Sequence, residues 1–162
     1  MDLKTLIPQK LKEKFASVEF EISDYKEELT IKFDKKFIVE VCNYLKSDEN
    51  LSFNYCSDIT AVDWAKRKNR FTVVYNIFSI KNNFRLRLKA DVDESDCIID
   101  SVTSVWKGAN WQERETYDMY GIKFNNHPDL RRMYMPEDFE HYPLRKDFPL
   151  MGIPGSLPLP KK

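Results

Sequence analysis

Glycine is scarce in this chain, with four residues among 162. Neither G-x-G-x-x-G nor G-x-x-x-x-G-K-[ST] occurs, which excludes a phosphate cradle built on a glycine-rich loop. Cysteine is scarcer: Cys42, Cys56 and Cys97 stand far apart and no C-x-x-C exists, so a thiolate metal cluster or an iron–sulfur site on this chain alone is not expected. An excess of charge of one sign is missing too. The 26 Lys and Arg balance the 26 Asp and Glu, so the basic surplus of a general nucleic-acid footprint is absent. Long apolar runs are also lacking. The longest strand-like uncharged stretch, Phe71 to Ile80, has ten residues, where a membrane helix needs about 20. The later uncharged run, 148–160, is broken by four prolines and cannot span as a helix. The opening MDLKTLIPQKLKEKF is charged throughout and has no apolar core of a signal peptide. These absences predict a soluble chain with reduced thiols, reaching a membrane only through a partner.

What is present is aromatic and charged. Aromatic residues make up 14% and charged residues 32%, with 42% hydrophobic content left to build a core. Leu3, Leu6, Ile7, Leu11 and Phe15 recur at helical spacing, with Pro8 expected in the first turn and the helix proper starting near Ile7. VEFEIS (18–23) and LTIKF (29–33) alternate as a hairpin with one buried face. Asp34 is placed to cap a helix lined by Phe37, Ile38, Val41, Tyr44 and Leu45. Strands are expected over 51–63, 70–80 and 84–92, and a short strand or helix start over 98–106. The order predicts an α+β fold, a mixed or antiparallel sheet packed with helices.

The stretch 111–149, WQERETYDMYGIKFNNHPDLRRMYMPEDFEHYPLRKDFP, holds both histidines and is dense in charge, aromatics and proline. Its first third reads as a helix over 108–120. Trp111, Arg114, Glu115, Asp118 and Met119 fall on one arc of about 140°, and Arg114 and Asp118 are spaced to pair. That arc reads either as a solvated face or as a polar network pressed against another surface. Gly121 supplies a left-handed stop. Beyond it the composition changes, since seven of the eight prolines and three of the four glycines lie in 121–162. A body over 1–120 and an extended proline-rich docking segment over 121–162 are therefore expected. Ten large apolar side chains lie between Phe124 and Leu150. At about 1.5–3 kcal/mol each, they predict docking on the body, on another protein, or on both.

A search for chemistry returns little. His127 and His141 have acidic neighbours, but their spacing matches no metal site, and satisfied structural histidines are expected. Arg131-Arg132 and Arg145-Lys146 sit among acids and read as paired charges. No nucleophile elbow supports a Ser/His/Asp triad. The residues alone give a scaffold with a long interacting extension and no active site.

The run ERETYDMYGIKFNNHPDLRRM (113–133) followed by YPLRKDFP (142–149) resembles the hallmark of the 30-kilodalton subunit family of proton-pumping NADH:quinone oxidoreductase, respiratory complex I. SDITAVD (57–63) and ANW (109–111) resemble the family as well, which extends the likeness to 1–150. The resemblance implies a non-catalytic assembly subunit of the hydrophilic arm, supporting electron transfer from NADH to quinone and the coupled proton translocation. It implies no cofactor on this chain, with flavin and iron–sulfur clusters on partner subunits. The implied partners are the large hydrogenase-like subunit of the quinone cavity and its iron–sulfur neighbours, at the cytoplasmic face of a bacterial inner membrane.

Carried over by motif, the implied partner interface comprises Trp111, Glu113, Arg114, Glu115 and Asp118 on the helix. Gly121 ends that helix, and His127, Pro128, Asp129, Arg131 and Arg132 form the turn after it. Pro143, Leu144, Arg145, Lys146 and Asp147 complete the set. Two departures stand out. Asn126 replaces the family's usual Gly before HP, though Asn also tolerates a left-handed backbone. Phe139-Glu140-His141 replaces a common Trp-x-Gly. Two further readings remain: the equivalent subunit of a related membrane-bound hydrogenase or formate hydrogenlyase complex, and a free-standing ferredoxin-like binding module.

Overall fold

The computed structural model describes residues 2–149 and Gly152; Leu150 and the rest of the tail lie outside the described residues. The first helix, α1 (Leu3–Lys14), begins where Asp2 accepts the Lys4 amide, earlier than expected, and Pro8 lies in its interior. Leu3 and Leu6 pack on the core while Ile7 and Leu11 are fully buried. Apolar contact along both turns outweighs the one ladder bond that Pro8 cannot donate.

Strands β1 (Glu21–Tyr25) and β2 (Glu28–Lys32) form the expected antiparallel hairpin. Its turn residues, Lys26 and Glu27, both have positive φ, 49° and 67°, the geometry that matches the twist of paired strands. The expected buried face is realised differently. Val18 is buried and Phe20 packs on the core ahead of the strand, whereas all five residues of β1 are exposed. β1 is an edge strand, with a neighbour on one side only.

Asp34 accepts the Lys36 amide, as expected of a cap, and a 3₁₀ turn (Lys35–Phe37) leads into α2 (Ile38–Ser47). Ile38, Val41, Cys42 and Leu45 form its buried side. Leu51 and Phe53 are buried before the next strand begins at Tyr55. Strands β3 (Tyr55–Asp63), β4 (Phe71–Ser79) and β5 (Phe84–Val92) run as an antiparallel meander. β5 pairs in parallel with β2, giving the mixed order β1-β2-β5-β4-β3. Alternate residues such as Ile31, Ile59, Tyr75 and Leu88 join α1 and α2 in one core. The opposite side of the sheet carries ion pairs, Lys32–Asp91 at 2.9 Å and Arg87–Glu28.

After β5 comes a short strand, β6 (Ile98–Asp100), then α3 (Ala109–Tyr120), then β7 (Lys123–Asn125). β7 pairs in parallel with β6. α3 lies on β3, where Thr116 Oγ1 donates to Ile59 O at 2.8 Å and Gln112 Nε2 to Ser57 O at 3.0 Å. The core therefore continues past Gly121, because Ile122 and Phe124 are both buried in it.

The hairpin turn generates a prediction. Holding Lys26 and Glu27 at positive φ strains two side-chain-bearing residues, each at about 1 kcal/mol or more. Replacing them with Asn and Gly (Lys26→Asn with Glu27→Gly) should stabilise the chain by about 1 kcal/mol, read as a higher midpoint in urea with an unchanged slope.

Candidate functional site

Helix α3 presents the polar arc seen in the sequence, but the structure splits it. Trp111 and Glu115 are exposed, while Arg114 and Asp118 are buried. Arg114 does not pair with Asp118. Its Nε and Nη2 donate to the carbonyls of Arg131 and Arg132 at 3.1 and 3.2 Å, and its guanidinium lies 5.0 Å over the Trp111 ring. Asp118 Oδ2 accepts three successive amides, from Met133, Tyr134 and Met135, at 3.0, 2.7 and 3.0 Å. Asp118 Oδ1 pairs with Arg132 at 2.7 Å. Burial works to raise this carboxyl, but the amides and the guanidinium outweigh it and hold Asp118 below its ordinary value. Arg132 goes on to donate to the Phe139 carbonyl and, at 3.3 Å, to that of His141. The helix face is thus a template for an irregular backbone, with cations taking carbonyls and an anion taking amides.

A second clasp lies at the end of β3. Asp63 meets Arg70 side by side, Oδ1 to Nε at 3.0 Å and Oδ2 to Nη2 at 2.9 Å. It also accepts the Ala65 amide at 2.7 Å and the Lys146 amide at 2.8 Å. Arg70 pairs in addition with Glu94 at 2.5 Å and Asp147 at 2.9 Å. Burial pushes Asp63 upward, but Arg70 and the two amides overcome it and hold the carboxyl at about 2. Arg145 donates to the Tyr120 carbonyl at 2.6 Å and stacks near Phe71 and Tyr142, 5.0 and 4.6 Å from the ring centres. Gly121 makes this possible. It has φ +76°, and a Cβ there would fall 2.6 Å from the Tyr142 ring and 2.7 Å from Arg145 Nη2.

The histidines have structural surroundings. His127 Nε2 lies 3.1 Å from the Asn110 carbonyl, and Nδ1 accepts the Asp129 amide at 3.0 Å, which selects the Nε2–H tautomer. Asn126 before it adopts φ +60°, the left-handed conformation expected at that position. Asp129 pairs with Arg131 at 3.0 Å. His141 sits edge-on to Phe139 and Phe148 at 5.8 and 6.4 Å. Among the described residues no three His, Cys, Asp or Glu side chains gather as a metal-binding group.

Of the sixteen residues singled out by motif, the structure therefore joins most to the chain itself. Glu113 lies fully inside, accepting from the Val102 amide at 2.7 Å and the Ser101 hydroxyl at 2.6 Å. Trp111, Glu115, Pro128, Asp129, Arg131, Leu144, Lys146 and Asp147 remain exposed, and Pro143 is half-buried. Sequence reasoning does not single out Asp63, Arg70 or Tyr142. The signal for Asp63 and Arg70 is the acidic end of SDITAVD followed by Arg70 after a hairpin-length gap, and Tyr142 is the first residue of the YPLRKDFP run.

Two outcomes follow from the clasps. Asp118→Ala strips the acceptor from three amides and a guanidinium, at a cost of about 3–5 kcal/mol to that docking. Trypsin should then cut after Arg131, Arg132 or Arg145 far faster, with β-sheet circular dichroism retained. Asp63 titrates from about 2 in the folded chain against an ordinary 3.8. Its contribution is present above the ordinary value and is lost as pH falls through the folded one, amounting to about 2 kcal/mol. Asp63→Asn should flatten that part of the acid-unfolding curve.

The family described as the respiratory-chain NADH dehydrogenase, 30 Kd subunit, matches residues 31–154. An NADH-quinone oxidoreductase subunit of Geobacter metallireducens is 51% identical over 150 residues, covering 92% of this chain and 91% of that protein. Its counterpart from Geobacter sulfurreducens is 51% identical over 144 residues, covering 88% of each. Among solved structures, a trypsin-resistant fragment of Nqo5 superposes with a TM-score of 0.66 at 27% identity, covering 79% of this chain and all of the fragment. A chain of the membrane-bound sulfane sulfur reductase, an archaeal respiratory membrane complex, shares the fold at a TM-score of 0.76 and 22% identity, covering 93% and 88%. With the family match spanning most of the chain and relatives at half identity over nearly full length, this chain belongs to the 30-kilodalton subunit family of respiratory-chain NADH dehydrogenase, the NADH-quinone oxidoreductase of complex I.

Proposed function

We propose that this chain is a structural, non-catalytic subunit of an NADH:quinone oxidoreductase, clamping the hydrogenase-like quinone-cavity subunit to its iron–sulfur neighbours. The observation that carries this reading is the strap, residues 126–149, fastened to the body at Asp118 and Asp63 while leaving Trp111, Tyr134 and Leu144 exposed at 61%, 59% and 53%. A segment held rigid by its charges and displaying large apolar side chains is preorganised for docking, since little ordering entropy is left to lose. Flavin and iron–sulfur chemistry belong to the partners in this reading, and this chain contributes interface. Among the described residues no helix is long and apolar enough to cross a membrane, in keeping with a peripheral position at the cytoplasmic face of a bacterial inner membrane.

We divide the chain into a body and a docking segment, with the break after Asn125, because β7 belongs to the packed unit. That a protease-resistant fragment of Nqo5 matches 79% of this chain supports a compact body shorter than the whole.

The test is assembly. Trp111→Ala, Tyr134→Ala and Leu144→Ala combined should lower the amount of assembled quinone reductase at least about ten-fold, since interface anchors are each worth about 2 kcal/mol. NADH-to-quinone turnover per assembled complex should stay unchanged. Normal abundance with collapsed turnover would put the strap in the quinone chemistry itself, and co-isolation with a nickel–iron hydrogenase would place the chain in the other kind of complex.

A further inference from the structure

Two carboxylates on α3, five residues apart, have opposite surroundings. Asp118 has three amides and a guanidinium. Glu113 is wholly buried, with only the Val102 amide and the Ser101 hydroxyl within hydrogen-bond reach. Its pocket is otherwise poor in charge. α2 contributes Cys42, β3 contributes Cys56, and β4 contributes the buried Tyr75 phenol, which has no hydrogen-bond partner among the described residues. Beyond β7, His127 brings Nε2 to 3.9 Å from Glu113 Oε2, but its proton is directed at the Asn110 carbonyl. Asp100 of β6 stands nearby as a second acid acting on Tyr75, and Arg114, the next residue, faces away to the carbonyls of 131 and 132. No cation is aimed at Glu113 from these elements.

A path leads outward. Glu113 Oε2 lies 2.6 Å from Ser101 Oγ, which lies 2.7 Å from Thr103 Oγ1. Thr103 is half-buried, at the edge of solvent. With Glu113 neutral, its O–H donates to Ser101 and the Ser101 O–H donates to Thr103. With Glu113 ionised, both hydroxyls reverse, Thr103 donating to Ser101 and Ser101 to the carboxylate. The change passes one proton outward by three hops, Glu113 to Ser101, Ser101 to Thr103 and Thr103 to water, which leave both hydroxyls reversed with no side chain leaving its place. Ser101 is also the anchor of the strap's root, because its amide donates to the Asn125 carbonyl at 2.9 Å.

We propose that Glu113 is a proton-binding site, exchanging with solvent through Ser101 and Thr103, whose charge sets how firmly the β6–β7 ribbon at the root of the C-terminal strap is held. Burial pushes the Glu113 carboxyl up to about 7, with the Ser101 and Val102 hydrogen bonds pulling the other way. A folded value above the ordinary 4.5 means that the folded chain favours the proton. The stabilisation is therefore full below the ordinary value and is lost as pH rises through about 7. Ionisation then leaves a charge in the pocket with two donors and no counter-ion. The inference concerns this chain alone and stands whether or not the proposed partners are right.

The full-length chain suffices for the test. Infrared difference spectra across a pH titration should show a protonated-carboxyl band disappearing with a midpoint near about 7, and that band should be absent in Glu113→Gln. The amide keeps both hydrogen bonds of the neutral acid, so Glu113→Gln should fold. Hydrogen exchange of 98–103 and 123–127, corrected for intrinsic rate, should rise with pH in the native chain and stay flat in Glu113→Gln. Ser101→Ala, which removes one donor to the carboxylate, should move the midpoint upward. Thr103→Val should leave the midpoint in place but slow the shift of the band in heavy water. A band already gone in the ordinary carboxylate range, or one that persists in Glu113→Gln, overturns the site. An unmoved midpoint in Ser101→Ala overturns it too and does not depend on the folding of Glu113→Gln.

Discussion

The Asp118 carboxylate is the fixed point of the second half of this molecule. An extended segment outside any sheet must still satisfy its amides and carbonyls, and 131–135 does so on one helix. Asp118 takes three amides in a row, and Arg114 takes the two carbonyls just before them. Because the contacts are to backbone, they specify a path more than a sequence. Side chains along the strap are left free to serve another purpose, and Tyr134 is exposed while its own amide is held.

The same logic governs the far end. Asp63 accepts the Lys146 amide while Arg70 answers Asp147, and Arg145 reaches over Gly121 to the last carbonyl of α3. A motif rich in charge thus meets its opposite charges within the chain. In the proposed complex the partner would meet an apolar surface with a charged rim, the common anatomy of a lasting interface.

How much of this is legible in the sequence depends on range. Local periodicity finds the helices, the β3–β4–β5 meander and the cap at Asp34, because those signals lie within one element. Pro8 misleads, since a breaker rule ignores the apolar contacts that keep α1 intact on both sides. β7 escapes notice because KFN is three residues long and is made a strand by β6, over twenty positions earlier. The helical wheel gathers the right polar residues, but the i,i+4 pairing rule joins Arg114 to Asp118. The partners each of them finds instead lie 14 to 18 residues along the chain. Glu113 looks like one more surface charge. Only the tertiary fold shows that Ser101 and Val102 close over it.

The clasp at Asp63 joins residues 83 positions apart. Loop closure over that length is entropically unfavourable, and non-local pairings form late. Asp63 and Arg70 sit on a hairpin that can form from local contacts, so their ion pair is in place while 143–147 is still free. The strap is then the last piece to seat and the first to come away. Its release leaves the Asp118 carboxylate without its three amides and the Tyr120 carbonyl without Arg145, while the sheet and its core stay whole. In the proposed division of the chain, local pairing favours a body that folds early and a fastening that closes afterwards.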